Sequence, residues 1–479
     1  MRSYAENIFY FELEDIVGPE NISKSLVDLD VVSTDVCAIS RFWIDQKEEP
    51  VKPDYVVYPR NTEQVSKVMK LATNYKVPVT PRGGGAGDTC GSLPLYGGII
   101  LNMSRMDKII KIDENNLTVE VEPGILQCDL EEELNKKGYT LNFFPASHYC
   151  SSLGGFLANR GSGTLSSKYG KIDNLVVSME VVLPNGNIIR TALVPDHSSG
   201  PDMNRLFLGS EGTLGIITNT TLKMFYVPEE RRFNAFLFNN LENAIDAGRK
   251  LMVNRIGASA IRVYDEKDTA VMVKKVLGID KKGSFMVVGF DGFKEMIDVQ
   301  EKIAFKIIKE TGGQDLGREA GNNWWKNRFK FYYPPFNLES APVLHGVFDT
   351  VATFENILKI YYEQKKEVES NFKKWDITYF GHFSHWYEYG TILYPTFIVN
   401  KLPKDIDGLL KLNHEIWKLG IRIALKNGGS VNEHHGIGLR LGRYLKDMYG
   451  NGFKMLQDIK NAIDPYNIMN PGKMGFERR

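Results

Sequence analysis

An arginine inside an apolar segment and a pair of adjacent histidines are the side chains of this sequence best suited to chemistry on a small anionic molecule. Arg262 lies in ASAIRVYD, and a guanidinium can hold a carboxylate through two parallel hydrogen bonds. His434 and His435 precede Gly-Ile-Gly, and an imidazole that titrates near neutral pH can take a proton from a hydroxyl group. Glu433, directly before them, could orient its neighbour. We therefore predict a site that anchors an anion and moves a proton.

A divalent metal site is a second hypothesis for the same region. Glu433 could ligate an ion together with His382 and His385 of the segment WDITYFGHFSH. These two histidines are an odd number of residues apart, so on a strand their side chains would face opposite ways. The four cysteines form no CxxC pair, which argues against a zinc ribbon or an iron–sulfur cluster. The spacing therefore disfavours a bound metal.

Two glycine-rich segments indicate a nucleotide cofactor. PRGGGAGDT, which starts at Pro81, offers the positive φ and the close backbone approach that a bound diphosphate requires. It is not a G-x-G-x-x-G fingerprint, because Asp88 stands at the last glycine position, and it is not a G-x-x-x-x-G-K loop. A second segment, SSLGGFLANRGSGTLSSKYG, starts at Ser151. The pattern predicts a nucleotide site that is neither of the NAD type nor a P-loop.

The elements around these residues change in character near Pro228. Before it, short strands such as DYVVYP alternate with glycine loops, and NTEQVSKVMKLATNY carries apolar residues at helical spacing. LVVSMEVVLPNGNIIRT is predicted to form a hairpin that turns at Asn185 and Gly186. After Pro228, strands alternate with helices of about 12–18 residues, which predicts an antiparallel sheet with helices on one face.

Composition excludes several classes of protein. The 479 residues contain 59 Lys+Arg and 59 Asp+Glu, so the chain lacks the basic excess of a general nucleic-acid binder. Hydrophobic residues make up 43% and charged residues 25%, which is typical of a globular protein. The N-terminus does not read as a signal peptide, and no apolar run is long enough for a transmembrane helix. We expect a cytoplasmic protein and leave peripheral membrane association and a homodimer open.

The motifs PRGGGAG, LGGFLANRGSG, LGSEGTLGIIT, EHHGIG and DPYNIMNPGK together resemble the flavoprotein superfamily of vanillyl-alcohol oxidase and p-cresol methylhydroxylase. The resemblance implies an α+β fold with a two-part FAD-binding domain, and FAD as cofactor. Together with the sequence pattern it predicts four parts. They are a helical lead-in (1–45), the FAD-binding domain (46–228), an antiparallel-sheet cap that binds substrate (229–425) and a C-terminal segment that returns to the flavin (426–479).

The resemblance also implies which residues bind FAD. The first loop would hold the diphosphate, and the second segment would line the flavin. The residues so assigned are Pro81, Arg82, Gly83, Gly84, Gly85, Ala86, Gly87, Asp88, Ser147, Ser152, Gly154, Gly155, Ala158, Asn159, Gly161, Gly163, Ser210, Glu211, Gly212, Thr213, Ile216 and Asn470. Some members attach FAD through a histidine in the first loop, where this chain has Ala86. We therefore expect non-covalent FAD, with His148 as the alternative attachment point.

Two branches of the superfamily fit the chain. The D-lactate and glycolate dehydrogenases carry GEHGIG, which NEHHGIG resembles. They also carry a metal-binding GHxGDGNxH segment, of which this chain keeps Gly381 and His382 but not GDGN. The resemblance to this branch therefore implies the reaction more firmly than it implies the metal.

The second branch is that of the alkyldihydroxyacetone-phosphate synthases. SSGPDMNRLFLGSEGTLGIIT resembles it, Arg262 falls on a pocket arginine of that family, and Tyr394 falls on its catalytic tyrosine. Where that family has three consecutive histidines, this chain has a glutamate and two histidines, and His382 stands where a second pocket arginine is expected. These differences affect the residues that would handle a phosphate.

We predict that the chain oxidises a small D-2-hydroxy acid by hydride transfer to FAD and passes the electrons to a quinone, a flavoprotein or a similar acceptor. Arg262 would hold the carboxylate, and His434 or His435 would remove the hydroxyl proton. The alternative is a non-redox, flavin-dependent transferase of the synthase type, with Tyr394 in the central role. Net reduction of the flavin separates the two hypotheses.

Overall fold

The computed structural model describes residues 2–37, 50–331 and 344–477. Residues 38–45 of the predicted lead-in lie outside this part of the chain. Within the described residues, the α-helices of four or more residues are Arg2–Val17, Leu26–Val32, Thr62–Tyr75, Gln127–Asn135, Leu153–Asn159, Ser166–Tyr169, Ile172–Leu175, Met203–Phe207, Leu241–Val253, Lys274–Leu277, Lys294–Glu310, Gly317–Asn327, Phe354–Asn371, Ile406–Lys426, Leu445–Tyr449 and Asn451–Ile463.

Two small sheets build most of the N-terminal half. In the first, parallel strands place the glycine loop at the end of Val79–Arg82. Its strand order is Ile22–Ser23, Tyr55–Val57, Ile99–Asn102, Val79–Arg82. The second is antiparallel, in the order Ile109–Asp113, Thr118–Val121, Ile216–Lys223, Val176–Val182, Ile188–Arg190. A short pair, Tyr139–Thr140 and Phe225–Tyr226, lies beside them.

Local sequence explains why the predicted elements form. The helix Thr62–Tyr75 begins where the Asn61 side chain accepts a hydrogen bond from the Gln64 N–H, and it buries Val65, Val68, Met69 and Ala72 on one face. These are the apolar positions that predicted it. The hairpin prediction is also confirmed, since Val176–Val182 pairs antiparallel with Ile188–Arg190.

The second half is built on one large antiparallel sheet, which we call the large sheet. In the described chain its strand order is Gln314–Leu316, Glu230–Phe238, Ser284–Gly292, Ala260–Tyr264, Ile377–Phe383, Gly390–Val399, Leu344–Val347, with Thr350–Thr353 and Trp386–Tyr387 also paired to Gly390–Val399. The predicted α+β class is confirmed.

The two faces of the large sheet have different neighbours. Val263 and Met286 pack into the core beneath the long helices, whereas Tyr264 and Phe285 pack with Trp324 on the opposite face. The expectation of helices on one face only is therefore wrong, because the helix Gly317–Asn327 covers part of the other face. That second face also carries Arg262, since side chains alternate along a strand.

The C-terminal segment returns to the first small sheet. The Val79 N–H donates to the Ile468 carbonyl at 2.8 Å, and the Asn470 N–H donates to the Val79 carbonyl at 2.8 Å. The division of the chain into four parts remains our proposal. Among the described residues, no helix has both the length and the apolar character that crossing a membrane requires.

Candidate functional site

A cavity of about 520 Å³ lies between the two glycine-rich segments and the second face of the large sheet. We call residues 81–88 and 151–163 its glycine wall. Its charged wall consists of Arg262, Arg328, His382, Tyr394 and His434. One space therefore contacts both the residues predicted to bind a nucleotide cofactor and most of those predicted to do chemistry.

Close backbone approach explains the glycines of the first loop. A Cβ atom on Gly84 would lie 1.8 Å from the Cys150 carbonyl oxygen, and Gly85 has φ +66. A side chain at either position would separate the loop from the segment that follows Cys150 or strain its backbone. Gly155 differs, because the nearest atom to its Cβ would be the Ser152 Oγ at 3.5 Å. A side chain there would enter the cavity.

Most of the residues assigned to FAD line the cavity. Those that do are Pro81, Arg82, Gly83, Gly84, Gly85, Ala86, Gly87, Asp88, Ser147, Ser152, Gly154, Gly155, Ala158, Asn159, Gly161, Ser210, Glu211, Gly212 and Ile216. Gly163, Thr213 and Asn470 are not among its lining residues. A Cβ on Gly163 would lie 2.8 Å from the Phe144 nitrogen, and Asn470 donates to the carbonyls of Gly91 and Glu211. Gly163 and Asn470 therefore contact the loops themselves rather than the cavity.

Two charged residues of the FAD set are engaged with protein. The Arg82 guanidinium donates to the carbonyls of Val32 and Thr34, so it fastens the N-terminal segment beneath the first loop. The Glu211 carboxylate accepts from the backbone N–H groups of Ile437 and Gly438. Burial raises the pKa of Glu211 to about 7. These contacts are with protein groups, and the assignment of both side chains to the cofactor stays a prediction.

Strand register brings three side chains of the charged wall together. His382 pairs with Tyr264 on one side and with Tyr394 on the other, and the His382 and Tyr394 rings stack with centroids 4.6 Å apart. Arg262 lies two residues before Tyr264 and therefore on the same face. The His382 Nδ1 lies 3.2 Å from the Asp268 Oδ2, and the structure gives its buried Nε2 no hydrogen-bond partner.

The histidine pair lies beside Tyr394, and each imidazole is held by a carboxylate. The His434 Nδ1 is 2.7 Å from the Glu433 Oε2, and the His435 Nδ1 is 2.6 Å from the Asp349 Oδ1. Asp349 also accepts from the backbone N–H of Glu433 at 2.8 Å. The His434 ring lies 5.9 Å from that of Tyr394, centroid to centroid. Both rings therefore have a fixed orientation with Nδ1 turned away from solvent.

Electrostatics separates the histidines into two kinds. Burial alone would lower the pKa of His435, but the carboxylates of Asp349, Asp88 and Glu433 together outweigh burial and raise this pKa to about 9. His435 is therefore a cation at neutral pH. Burial lowers the pKa of His382 and of His385 well below the ordinary value, so both are neutral. Burial also raises the pKa of Asp268 to about 7, which the Arg262 cation only partly offsets.

The predicted metal set is not the cluster that the fold assembles. Among the described residues, His385, Glu433 and His434 place ligand atoms within 4.8 Å of one another, and so do Asp349, His434 and His435. His382 belongs to neither group and is bound to Asp268 instead. The spacing argument also fails, because the strand Ile377–Phe383 ends before His385 and both histidines line the cavity. The Lys171 Nζ lies 2.9 Å from the Glu433 Oε1. An ammonium at this position does not fit a divalent ion.

Sequence reasoning missed Arg328, Lys171 and Asp349. The Arg328 guanidinium lies 3.6 Å from the Trp325 ring centroid and lines the cavity, and its buried Nε has no hydrogen-bond partner in the structure. Burial and the Arg231 cation lower its pKa to about 10, so it stays charged at neutral pH. The paired aromatics of NNWWKNRFKF were the available signal for Arg328; Lys171 and Asp349 stand in unremarkable contexts.

The glycine wall fits FAD. The buried Oδ1 atoms of Asp88 and Asn159 line the cavity, and the structure gives neither a donor, which suits the hydroxyl and ring N–H groups of a flavin nucleotide. Gly87 and Gly155 leave open space where side chains would stand. The His148 ring packs against Tyr149 and Phe329, and it is not among the residues that line the cavity.

Comparison with known proteins supports this assignment. Residues 53–192 match the model of an FAD binding domain, and residues 227–474 match that of the FAD linked oxidases, C-terminal domain. An alkyldihydroxyacetonephosphate synthase of Trypanosoma brucei brucei is 31% identical in an alignment of 456 positions that covers 88% of this chain and 73% of the relative. The glycolate oxidase subunit GlcD of Bacillus subtilis (strain 168) is 29% identical in an alignment of 480 positions that covers 97% of this chain and 96% of the relative.

Further relatives extend the same division. A mitochondrial D-lactate dehydrogenase [cytochrome] of Arabidopsis thaliana is 29% identical over 431 residues, 88% of this chain and 73% of the relative. A solved alkyldihydroxyacetonephosphate synthase superposes with a TM-score of 0.81 at 27% identity, covering 97% of this chain and 84% of that one. A p-cresol methylhydroxylase shares the fold, with a TM-score of 0.79 at 20% identity over 98% of this chain and 97% of its own. Since one family model alone spans more than half of the sequence, the chain belongs to the FAD-linked oxidase family and is an FAD-binding member of it.

Proposed function

We propose that this chain is an FAD-dependent dehydrogenase that oxidises a small D-2-hydroxy acid. The observation that carries the proposal is the pairing, within one cavity, of a carboxylate-held imidazole on His434 with the guanidinium groups of Arg262 and Arg328. A 2-hydroxy acid needs a base for its hydroxyl group and a cation for its carboxylate. The D configuration is supported by the names of the dehydrogenase relatives.

His434 is assigned the role of general base. Its Nδ1 is bound to Glu433, so its Nε2 is the ring nitrogen left for the substrate hydroxyl. Glu433 is charged, because Lys171 and the imidazole of His434 lower its pKa well below the ordinary value although burial opposes them. The carboxylate would stabilise the imidazolium that forms on proton transfer.

Arg262 and Arg328 are assigned to the substrate carboxylate. Both line the cavity, and the Arg328 Nε is a buried donor to which the structure gives no acceptor, so an anion would satisfy it. The His435 imidazolium adds a third positive charge to the site. His382 is neutral, and its bond to Asp268 fixes the direction of its Nε2 atom. That atom would orient the substrate between these groups.

The glycine wall would hold FAD non-covalently, with the backbone of residues 83–87 on the diphosphate. The bound cofactor would supply the hydride acceptor. An electron acceptor outside the chain, of quinone or flavoprotein type, would complete each turnover. Because the first loop carries Ala86 and the His148 ring is packed against aromatic neighbours, we propose no covalent link.

A synthase-type transferase is the second candidate. The observation that favours it is the position of Tyr394, whose ring lies 4.6 Å from His382 and 5.5 Å from His435. The synthase relative at 31% identity supports the same candidate. A tyrosine among histidines could exchange protons with a bound substrate without any net oxidation.

Anaerobic mixing of the FAD-loaded protein with matched D- and L-2-hydroxy acids tests the proposal. We expect one D acid to bleach the flavin absorbance and to yield the 2-oxo acid, while its L enantiomer leaves the spectrum unchanged. The synthase candidate predicts no bleaching by any acid, together with exchange of an acyl chain for an alcohol on acylated dihydroxyacetone phosphate. That pair of results would replace the first proposal by the second.

A further inference from the structure

We propose that the Lys171 ammonium takes the place of a divalent cation in this site. The metal hypothesis places an ion beside Glu433, yet Lys171 donates to both the carboxylate and the backbone carbonyl of that residue. Both side chains are buried, with exposed fractions of 11% for Lys171 and 2% for Glu433. A fixed internal cation thus stands beside the ligands that an ion would need.

The Glu433 carboxylate has no capacity left for a metal. It accepts hydrogen bonds from the Lys171 Nζ at 2.9 Å, the Ser162 Oγ at 3.1 Å and the His434 Nδ1 at 2.7 Å, and also from the Tyr387 hydroxyl. A carboxylate offers about four lone-pair positions, and four donors fill them. Metal binding would have to displace at least one donor.

The neighbouring histidine is engaged in the same way. The His385 Nδ1 lies 2.8 Å from the Ser166 Oγ, and the His385 ring lies 5.1 Å from the His434 ring, centroid to centroid. A divalent ion among these atoms would meet the Lys171 ammonium at close range and be repelled. Three ligands of two types are present, one carboxylate and two imidazoles, but the Lys171 ammonium disfavours the ion.

The consequence for the reaction is that Lys171 is a positioning residue. It fixes the carboxylate and the carbonyl of Glu433, and Glu433 in turn orients the His434 imidazole. Its segment is itself anchored, since the Lys171 N–H donates to the Asn174 side chain at 3.0 Å. Lysine therefore performs the orienting and charge-balancing work that a metal would do, without any dependence on metal supply.

The metal content of the purified protein tests this inference without any substrate. FAD-loaded wild type would be equilibrated with Zn²⁺ or Mn²⁺, dialysed and analysed for metal alongside Lys171→Met and Lys171→Arg. We expect little metal in wild type and Lys171→Arg, and about one ion per chain in Lys171→Met, because the freed carboxylate and two histidines can ligate it. The affinity gain over wild type should be at least about tenfold.

A matched control is Lys168→Met, which removes a lysine of the same segment whose Nζ lies 2.8 Å from the Asp291 Oδ1, away from the cluster. It should gain no metal. Stoichiometric metal in dialysed wild type would overturn the inference, and this measurement needs no variant. A folded, FAD-loaded Lys171→Met protein that takes up no ion would overturn it as well. Either result leaves the proposed oxidation untouched, since flavin bleaching tests that separately.

Discussion

The glycine wall presents mainly backbone to the cavity, whereas the charged wall presents side chains from strands and loops far apart in sequence. On the first wall, a Cβ on Gly84 would come within 1.8 Å of a carbonyl oxygen, so the shape depends on the absence of side chains. On the second, Arg262, His382 and His434 meet only because strand register and a distant loop bring them together. Cofactor binding should therefore fail when atoms are added, and catalysis when functional groups are removed.

The largest effect is expected on the glycine wall. Gly155→Leu would place a side chain into the cavity without straining the backbone, since its Cβ meets only the Ser152 Oγ at 3.5 Å. We expect the variant to be purified as folded apoprotein, so that FAD content and with it all flavin reduction are lost. Absorbance and circular dichroism would measure both.

Gly452→Leu is the matched control, because the Gly452 Cβ would lie 3.6 Å from the Tyr449 Cβ on a helix outside the cavity. It should keep its FAD. Acid treatment of wild type should release FAD intact. Flavin that stays on the denatured polypeptide would show that the link is covalent and would direct attention to His148.

On the charged wall, loss of the base should give the next largest effect. His434→Gln removes the imidazole that Glu433 orients, and we expect kcat to fall by about 10²–10⁴ with a smaller change in KM. His197→Gln, on an exposed loop, is the control. Rapid-reaction flavin reduction would measure the rate. Wild-type reduction by His434→Gln and by His435→Gln would move the base to Tyr394 or His382.

Loss of the anion clamp should be smaller and should affect a different parameter. Arg262→Lys keeps the charge but loses the planar fork, so we expect KM to rise by roughly ten- to 150-fold with kcat nearly unchanged. Arg255→Lys, in an exposed ion pair with Glu388, should change neither. A fall in kcat alone would mean that Arg262 acts on the reacting atoms rather than on the carboxylate.

The smallest effect concerns pH. The folded-state pKa of His435 is raised to about 9, so its pairing with Asp349 stabilises the fold fully below the ordinary value of 6.5 and is lost as the pH rises through about 9. The difference in apparent unfolding free energy between wild type and His435→Asn should be on the order of 2 kcal/mol at pH 6 and should vanish near pH 10. A difference independent of pH would mean that His435 is neutral.

The same contrast explains what the sequence could predict. The helix Thr62–Tyr75 and the glycine loops follow from local spacing, and the FAD assignment rested on such motifs. Arg262, Tyr394 and the histidine pair were found because their motifs resemble those of relatives. Their common cavity, however, depends on pairing between distant strands, which no local pattern reports.

The residues that sequence reasoning did not find or misjudged depend on tertiary contacts and on where a strand ends. Lys171 and Asp349 are single polar residues whose importance lies in what they contact, namely Glu433 and the histidine pair. His385 was misjudged because the strand ends at Phe383, and the alternation rule holds only within a strand. Arg82 and Glu211 line the cavity and also hold the N-terminal and C-terminal segments in place, and their role toward FAD stays a prediction.

Counting electrons tests the central claim most directly. The FAD-loaded protein would be titrated anaerobically with a panel of D-2-hydroxy acids and with the same acids deuterated at C2. We predict two electrons per molecule of 2-oxo acid formed, and slower reduction by the deuterated acid because the C2–H bond breaks in that step. Complete conversion of a bound substrate with the flavin still oxidised would contradict the account and establish the transferase alternative.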